Sequence, residues 1–160
     1  TLCDEFMRGA VESGNHVEKI FLRDKTIHPC LGCSVCSLHK KPCPQKDDAA
    51  EVIGKMLEAD VIVMATPVYF YAMSAQMKIL IDRCCGPYTE MKNKEFYFIA
   101  TAAEEDETIM KRVVDNFCGF LDCLENPVIK GTVFGGGVWH VGEIKDKPVL
   151  TEAYEMGKKV

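Results

Sequence analysis

Four of the nine cysteines crowd into one short stretch as Cys30-x2-Cys33-x2-Cys36-x6-Cys43, followed by Pro44. Thiolates are soft metal ligands and two-electron redox groups. Three at successive x2 spacings, with small Gly32 and Ser34 between them, can wrap one face of a compact cluster. A more distant fourth closes it, and a Cys-Pro ending is part of the ligand pattern of [4Fe–4S] centres. Zinc sites more often pair two Cys-x2-Cys knuckles across a longer gap. Uncoordinated or redox-active thiols are the third reading, and the spacing leaves all three open. Cys30, Cys33, Cys36 and Cys43 are the candidate metal ligands.

A second stretch, Val61 to Arg83, is suited to holding a ligand rather than reacting with one. Val61 to Ala65 is uniformly apolar and β-branched at its start, which predicts a strand in the middle of a parallel sheet. Pro67 ends its ladder, Ser74 offers an N-cap, and Ala75 to Arg83 forms a helix with Met77, Leu80 and Ile81 inward. Loops at the carboxyl ends of strands form the ligand crevice of open α/β sheets. The loop from Thr66 to Met73, with Tyr69, Phe70 and Tyr71, is therefore a candidate grip for a flat, conjugated ligand. Taken alone, Tyr69 and Phe70 also read as core residues capping a sheet edge. The next strand, Phe96 to Ala102, ends in Thr101-Ala102-Ala103, small residues that leave backbone groups open to a ligand. The alternative there is a plain helix cap at Thr101 or Asp106.

No Ser-His-Asp or paired-carboxylate pattern has a spacing that supports acid–base or nucleophilic catalysis, so no catalytic residue is assigned. His16, His28, His39 and His140 are isolated and read as surface residues. Gly135-Gly136-Gly137 leads into Val138-Trp139 rather than a capped helix, so it is not a phosphate loop.

The elements that must position these residues alternate. An amphipathic helix starts at residue 1 and ends at Gly14. Val17 to Leu22 alternates like an edge strand, and a long Cys-rich connection follows, with its loop at residues 28–46. Asp47-Asp48 precedes the next helix; Phe96 to Ala102 and Val128 to Phe134 are further strands, and Pro148 starts the last helix. The order α-β-α-β-α-β-α-β-α in 160 residues predicts one domain, an α/β three-layer sandwich around a parallel sheet. An opening helix with no strand before it suggests that a first strand and its loop lie upstream. Cys3, Cys84, Cys85, Cys118 and Cys123 sit in apolar, helical settings and read as small buried hydrophobes. Nine cysteines so distributed fit a reducing, cytoplasmic setting better than a disulfide scaffold. A net charge of −5 without a long basic run argues against a nucleic-acid surface, and no apolar run is long enough to span a bilayer.

Pro67-Val68-Tyr69-Phe70, Met73-Ser74-Ala75-Gln76-Met77-Lys78 and Leu80-Ile81-Asp82-Arg83 resemble the flavodoxin-like NAD(P)H-dependent FMN reductase family. Pro29 to Cys36 with Asp47-Asp48, and Gly137 to Lys145 with Glu155-Met-Gly-Lys, are similar to the same family, whose iron–sulfur flavoprotein branch carries the compact four-cysteine motif. The resemblance implies a flavodoxin-like sheet of order 2-1-3-4-5, with the phosphate loop upstream of Thr1. It implies FMN between Thr66, Pro67, Val68, Tyr69, Phe70, Tyr71 and Met73 on one side and Thr101, Ala102 and Ala103 on the other. NAD(P)H would be the co-substrate, with electrons passing to a quinone, nitroaromatic, flavin, metal ion or protein. With a [4Fe–4S] cluster the protein would instead be an electron carrier. A homodimer or homotetramer is the assembly such a resemblance implies.

Overall fold

The computed structural model describes residues 1–160. In chain order its elements are α1 (Leu2–Glu12), α2 (Val35–His39), α3 (Ala49–Glu58), β1 (Val61–Pro67), α4 (Ala75–Arg83), β2 (Glu95–Thr101), α5 (Glu107–Leu121), β3 (Val128–Gly135) and α6 (Val149–Gly157). The strands are parallel and pair in sequence order, β1 with β2 and β2 with β3. Parallel neighbours need long crossovers, which α4 and α5 provide. One face of the sheet, presenting Ile62, Met64, Phe96, Phe98 and Ala100, packs on α3, α4 and α5. The opposite face, with Tyr97, Ile99 and Val133, packs on α1 and α6. Alternation along the strands thus produces the three-layer sandwich that the sequence predicts.

The α1–α6 contact is close enough to require glycine. A Cβ on Gly157 would lie 1.9 Å from the Phe6 carbonyl oxygen, and one on Gly9 would lie 2.2 Å from that of Tyr154. Backbone cannot yield as a flexible side chain would. Gly157→Ala should therefore cost about 1–3 kcal/mol of stability, read as a lower denaturant midpoint.

One expectation about the sheet needs correction. Val17 to Leu22 is not a strand: it runs extended without ladder pairing and passes into a 3-10 turn at Leu22–Asp24. Alternation aims Ile20 and Leu22 at the core, but a strand also needs a neighbouring backbone, and none lies alongside. Within these three strands Val61–Pro67 pairs with β2 alone, and β2, with a neighbour on each side, is buried along nearly its whole length. The three strands display only the order β1-β2-β3.

The Cys-rich connection is closed at its base. Thr26 N donates to Asp48 Oδ2 at 2.6 Å, and Asp48 N to Thr26 O at 2.9 Å. Asp47 Oδ2 accepts from His28 N at 2.9 Å, and Oδ1 from Ala49 N at 3.1 Å. Arg83, the last residue of α4, meets the same carboxylate with both guanidinium branches, Nη1 to Oδ2 at 2.6 Å and Nη2 to Oδ1 at 3.0 Å. Both side chains are buried, 3% and 1% exposed. Nη1 also donates to His28 O at 2.8 Å and Nη2 to Cys43 Sγ at 3.4 Å. The pair thus fixes both ends of the loop to one helix.

The Arg83 guanidinium, aided by the His28 and Ala49 amides, holds the Asp47 carboxyl well below the usual carboxylate range. Because the folded pKa is depressed, this stabilisation is complete above about pH 4 and is lost as the pH falls below that. Asp47→Asn would leave a buried cation without its counter-charge. We expect a loss of about 3–5 kcal/mol at neutral pH, and a flatter acid limb in stability measured against pH.

Candidate functional site

The carboxyl ends of the three strands open on one rim. Thr66, 5% exposed, turns its hydroxyl inward, accepting from Ser74 N at 2.9 Å and donating to Pro67 O at 2.9 Å. Ser74 caps α4 by accepting from Met77 N. Between them, Tyr69 and Ala72 exchange backbone hydrogen bonds of 3.0 and 3.1 Å around Phe70 and Tyr71. Both central residues have positive φ, 50° and 61°. A two-residue turn with two left-handed residues is normally filled by Asn-Gly. A side chain at each position costs roughly 1–2 kcal/mol, so this tight hairpin is strained.

The strain displays aromatic rings. Tyr69, Phe70 and Tyr71 are 60%, 101% and 49% exposed, so they do not cap the core. The Arg112 guanidinium of α5 stands 5.1 Å from the Tyr71 ring centroid and steadies it. Met73 beneath them is buried, Val68 is partly buried and Pro67 is exposed. From Thr66 to Met73 there is no carboxylate, imidazole or amine.

The second loop is less open than its small residues suggest. Thr101 O accepts from Val68 N at 2.8 Å, and Ala102 bonds Gly135 through its N–H and Val138 through its carbonyl. Only Ala103 is left exposed with its backbone unengaged by strand or helix. The helix cap is Asp106, whose Oδ1 accepts from Thr108 N at 2.9 Å, not Thr101. The Val138 bond brings a third segment to the rim. There Trp139 is 78% exposed, and the Trp139 and His140 amides donate to Glu143 Oε2 at 2.6 and 2.8 Å. Sequence reasoning did not place Trp139 in the site; its position beyond the end of β3 was the available signal.

At the other end of α4 lies the cysteine cavity. Cys30, Cys33, Cys36 and Cys43 line one half-open cavity of about 70 Å3, together with Cys85. The loop reaches this shape through left-handed backbone at Gly32, Ser34 and Lys40. As placed, no group of three or more His, Cys, Asp or Glu side chains is arranged to hold a metal ion. The donor chemistry nevertheless fits a thiolate-bound centre: four thiols on one cavity, with a guanidinium donating to one sulfur.

Cys85 is the residue that sequence reasoning misplaced. The expectation of a buried thiol holds for Cys84, which donates to Leu80 O. Cys85 is exposed, in the turn that follows the end of α4. Cys123 is exposed as well, and Cys3 and Cys118 are partly buried. The doublet at the end of a helix was the available clue. All four histidines are on the surface as expected.

Comparisons with known proteins agree with this architecture. The model of the NADPH-dependent FMN reductase family matches residues 1–140. The chain is 39% identical over 166 aligned residues to an iron–sulfur flavoprotein of Archaeoglobus fulgidus, covering 99% of this chain and 70% of that protein. An iron–sulfur flavoprotein of Methanocaldococcus jannaschii is 45% identical over 82 residues, covering 51% of this chain but only 42% of the relative. Among solved structures, the NAD(P)H:quinone oxidoreductase of Methanothermobacter marburgensis superposes with a TM-score of 0.75 at 15% identity, covering 99% of this chain and 86% of that one. That last likeness shows the fold alone, a flavodoxin-like one. With the family model matched over most of its length, this chain belongs to the NADPH-dependent FMN reductase family.

Proposed function

We propose that the chain binds FMN on the rim formed by Thr66, Pro67, Val68, Tyr69, Phe70, Tyr71 and Met73 with Thr101, Ala102 and Ala103. In this reading it acts as an NAD(P)H-dependent oxidoreductase that passes electrons to a small acceptor. The observation that carries the proposal is the strained hairpin, which holds three aromatic side chains in solvent where the strands end. Exposed rings on a rigid turn are suited to stacking on a flat ring system. When bound, FMN supplies the hydride and electron chemistry itself. The chain's part is to orient the ring and shield one face, with no side chain moving a proton. Exposed Phe70, Trp139 and Val141 favour a homodimer or homotetramer that covers them. No helix is long and apolar enough to cross a membrane, and nine free thiols favour a reducing, cytoplasmic setting.

A second reading is favoured by the cavity that gathers the motif cysteines, and by the names of the relatives. Cys30, Cys33, Cys36 and Cys43 would hold a [4Fe–4S] cluster, making the protein an electron carrier that divides two-electron chemistry into single steps. Arg83 would then donate to one ligating sulfur and offset its charge.

The test is a flavin titration of the full-length protein, prepared without oxygen and followed by NAD(P)H oxidation. We expect FMN uptake with quenched flavin fluorescence. Phe70→Gly should weaken that uptake about 2- to 10-fold, while relief of the left-handed strain stabilises the fold by about 1 kcal/mol. A folded protein that takes up no flavin sinks the proposal. Iron content and the visible spectrum separate the two readings: Cys33→Ser should remove iron and spare flavin, and flavin bands without iron absorption exclude the carrier.

A further inference from the structure

The fifth cysteine of the cavity has no place in the spacing motif. Cys85 lies just beyond α4 and Cys36 lies on α2, yet both line the same half-open cavity. The two backbones are very close there. A Cβ built on Gly86, the neighbour of Cys85, would lie 3.1 Å from Cys36 Cβ and 3.7 Å from its Sγ. That contact sets Cys36 directly against the residue that follows Cys85, so the two cysteines are neighbours in the cavity, where a disulfide needs Cβ atoms about 3.5–4.5 Å apart. The Cys36 and Cys30 sulfurs are the ones that face the Cys85 thiol. Cys85 is exposed and Cys36 partly so, which leaves the pair accessible to a small oxidant. Cys84, by contrast, is buried and bonded to Leu80 O, and Cys123 is outside the cavity.

We propose that Cys36 and Cys85 form a dithiol pair that closes to a disulfide when a low-molecular-weight disulfide is the oxidant. One thiolate of the pair attacks a sulfur of the oxidant, forms a mixed disulfide and releases one small thiol. The second thiol of the pair, losing its proton, attacks the protein sulfur of that mixed disulfide and releases the other small thiol. In sum two cysteine thiols become one S–S bond, and their two protons and two electrons leave on the two small thiols. The link joins the cysteine loop covalently to the helix that Arg83 already grips. It also withdraws Cys36 from the four motif cysteines, so anything bound through Cys36 and the disulfide exclude one another. Cys85 thereby makes the cavity responsive to thiol–disulfide balance, whichever occupant the other cysteines take and whether or not flavin is bound.

The experiment uses the full chain, reduced and then incubated with oxidised glutathione in a buffer containing a strong iron chelator, so that the cavity sulfurs are free to react. Free thiols are then alkylated, and non-reduced peptides are mapped by mass spectrometry. The expected result is a loss of two alkylatable thiols and a dominant Cys36–Cys85 cross-linked peptide. Cys85→Ser should lose that peptide, whereas Cys123→Ser should keep it. Circular dichroism of each variant confirms that it is folded. A dominant link of Cys85 to Cys30, Cys33 or Cys43, a dominant link among Cys30, Cys33, Cys36 and Cys43 with Cys85 alkylated, or the absence of any link to Cys85 in the folded chain overturns the proposal.

Discussion

A buried bidentate pair between Asp47 and Arg83 holds the functional half of this molecule together. Neither charge has water to fall back on, at 1% and 3% side-chain exposure, so each depends on the other and on the surrounding donors and acceptors. The pair is also well placed. A cation at the carboxyl end of α4 lies where the helix dipole favours it, and the carboxylate lies at the foot of α3, where the dipole favours an anion. Because His28 and Cys43 share the same guanidinium, the loop between them is anchored from beneath rather than only at its two chain ends.

That anchor makes α4 a strut with a site at each end. Its first turn is capped by Ser74, which also bonds Thr66 at the base of the aromatic hairpin. Its last turn carries Arg83 and leads into Cys85 beside the cysteine cavity. Nine residues of helix place these ends about 13 Å apart. A rigid helix of that length sets the separation between a rim suited to a flat ring and a cavity lined with thiols. The strain in the hairpin and the burial of the ion pair are both costs that the packed sheet beneath α4 must offset.

Much of this frame was legible in the sequence. The apolar run ending at Pro67, the Ser74 cap and the start of a last helix at Pro148 are local signals, and each produced the element expected. What was hidden depends on distant partners. Arg83 reads as a surface charge at a helix end until Asp47, far away in sequence, is folded against it. The alternation from Val17 to Leu22 is genuine, but strand formation depends on a neighbour the pattern does not contain. Phe70 and Tyr71 carry none of the usual turn chemistry, because their turn is imposed by the strand and helix on either side. Cys85 shows the same limit at shorter range, since the chain turns away from α4 there and separates it from the buried Cys84.

The most direct test of the anchoring role is hydrogen exchange followed by mass spectrometry on Asp47→Ala, which removes both the charge and the acceptor oxygens. Exchange across residues 28–48 should become much faster, with protection in β1, β2 and β3 retained. Unchanged exchange in that loop, with the variant folded, would contradict the claim that the buried pair holds the cysteine site in place.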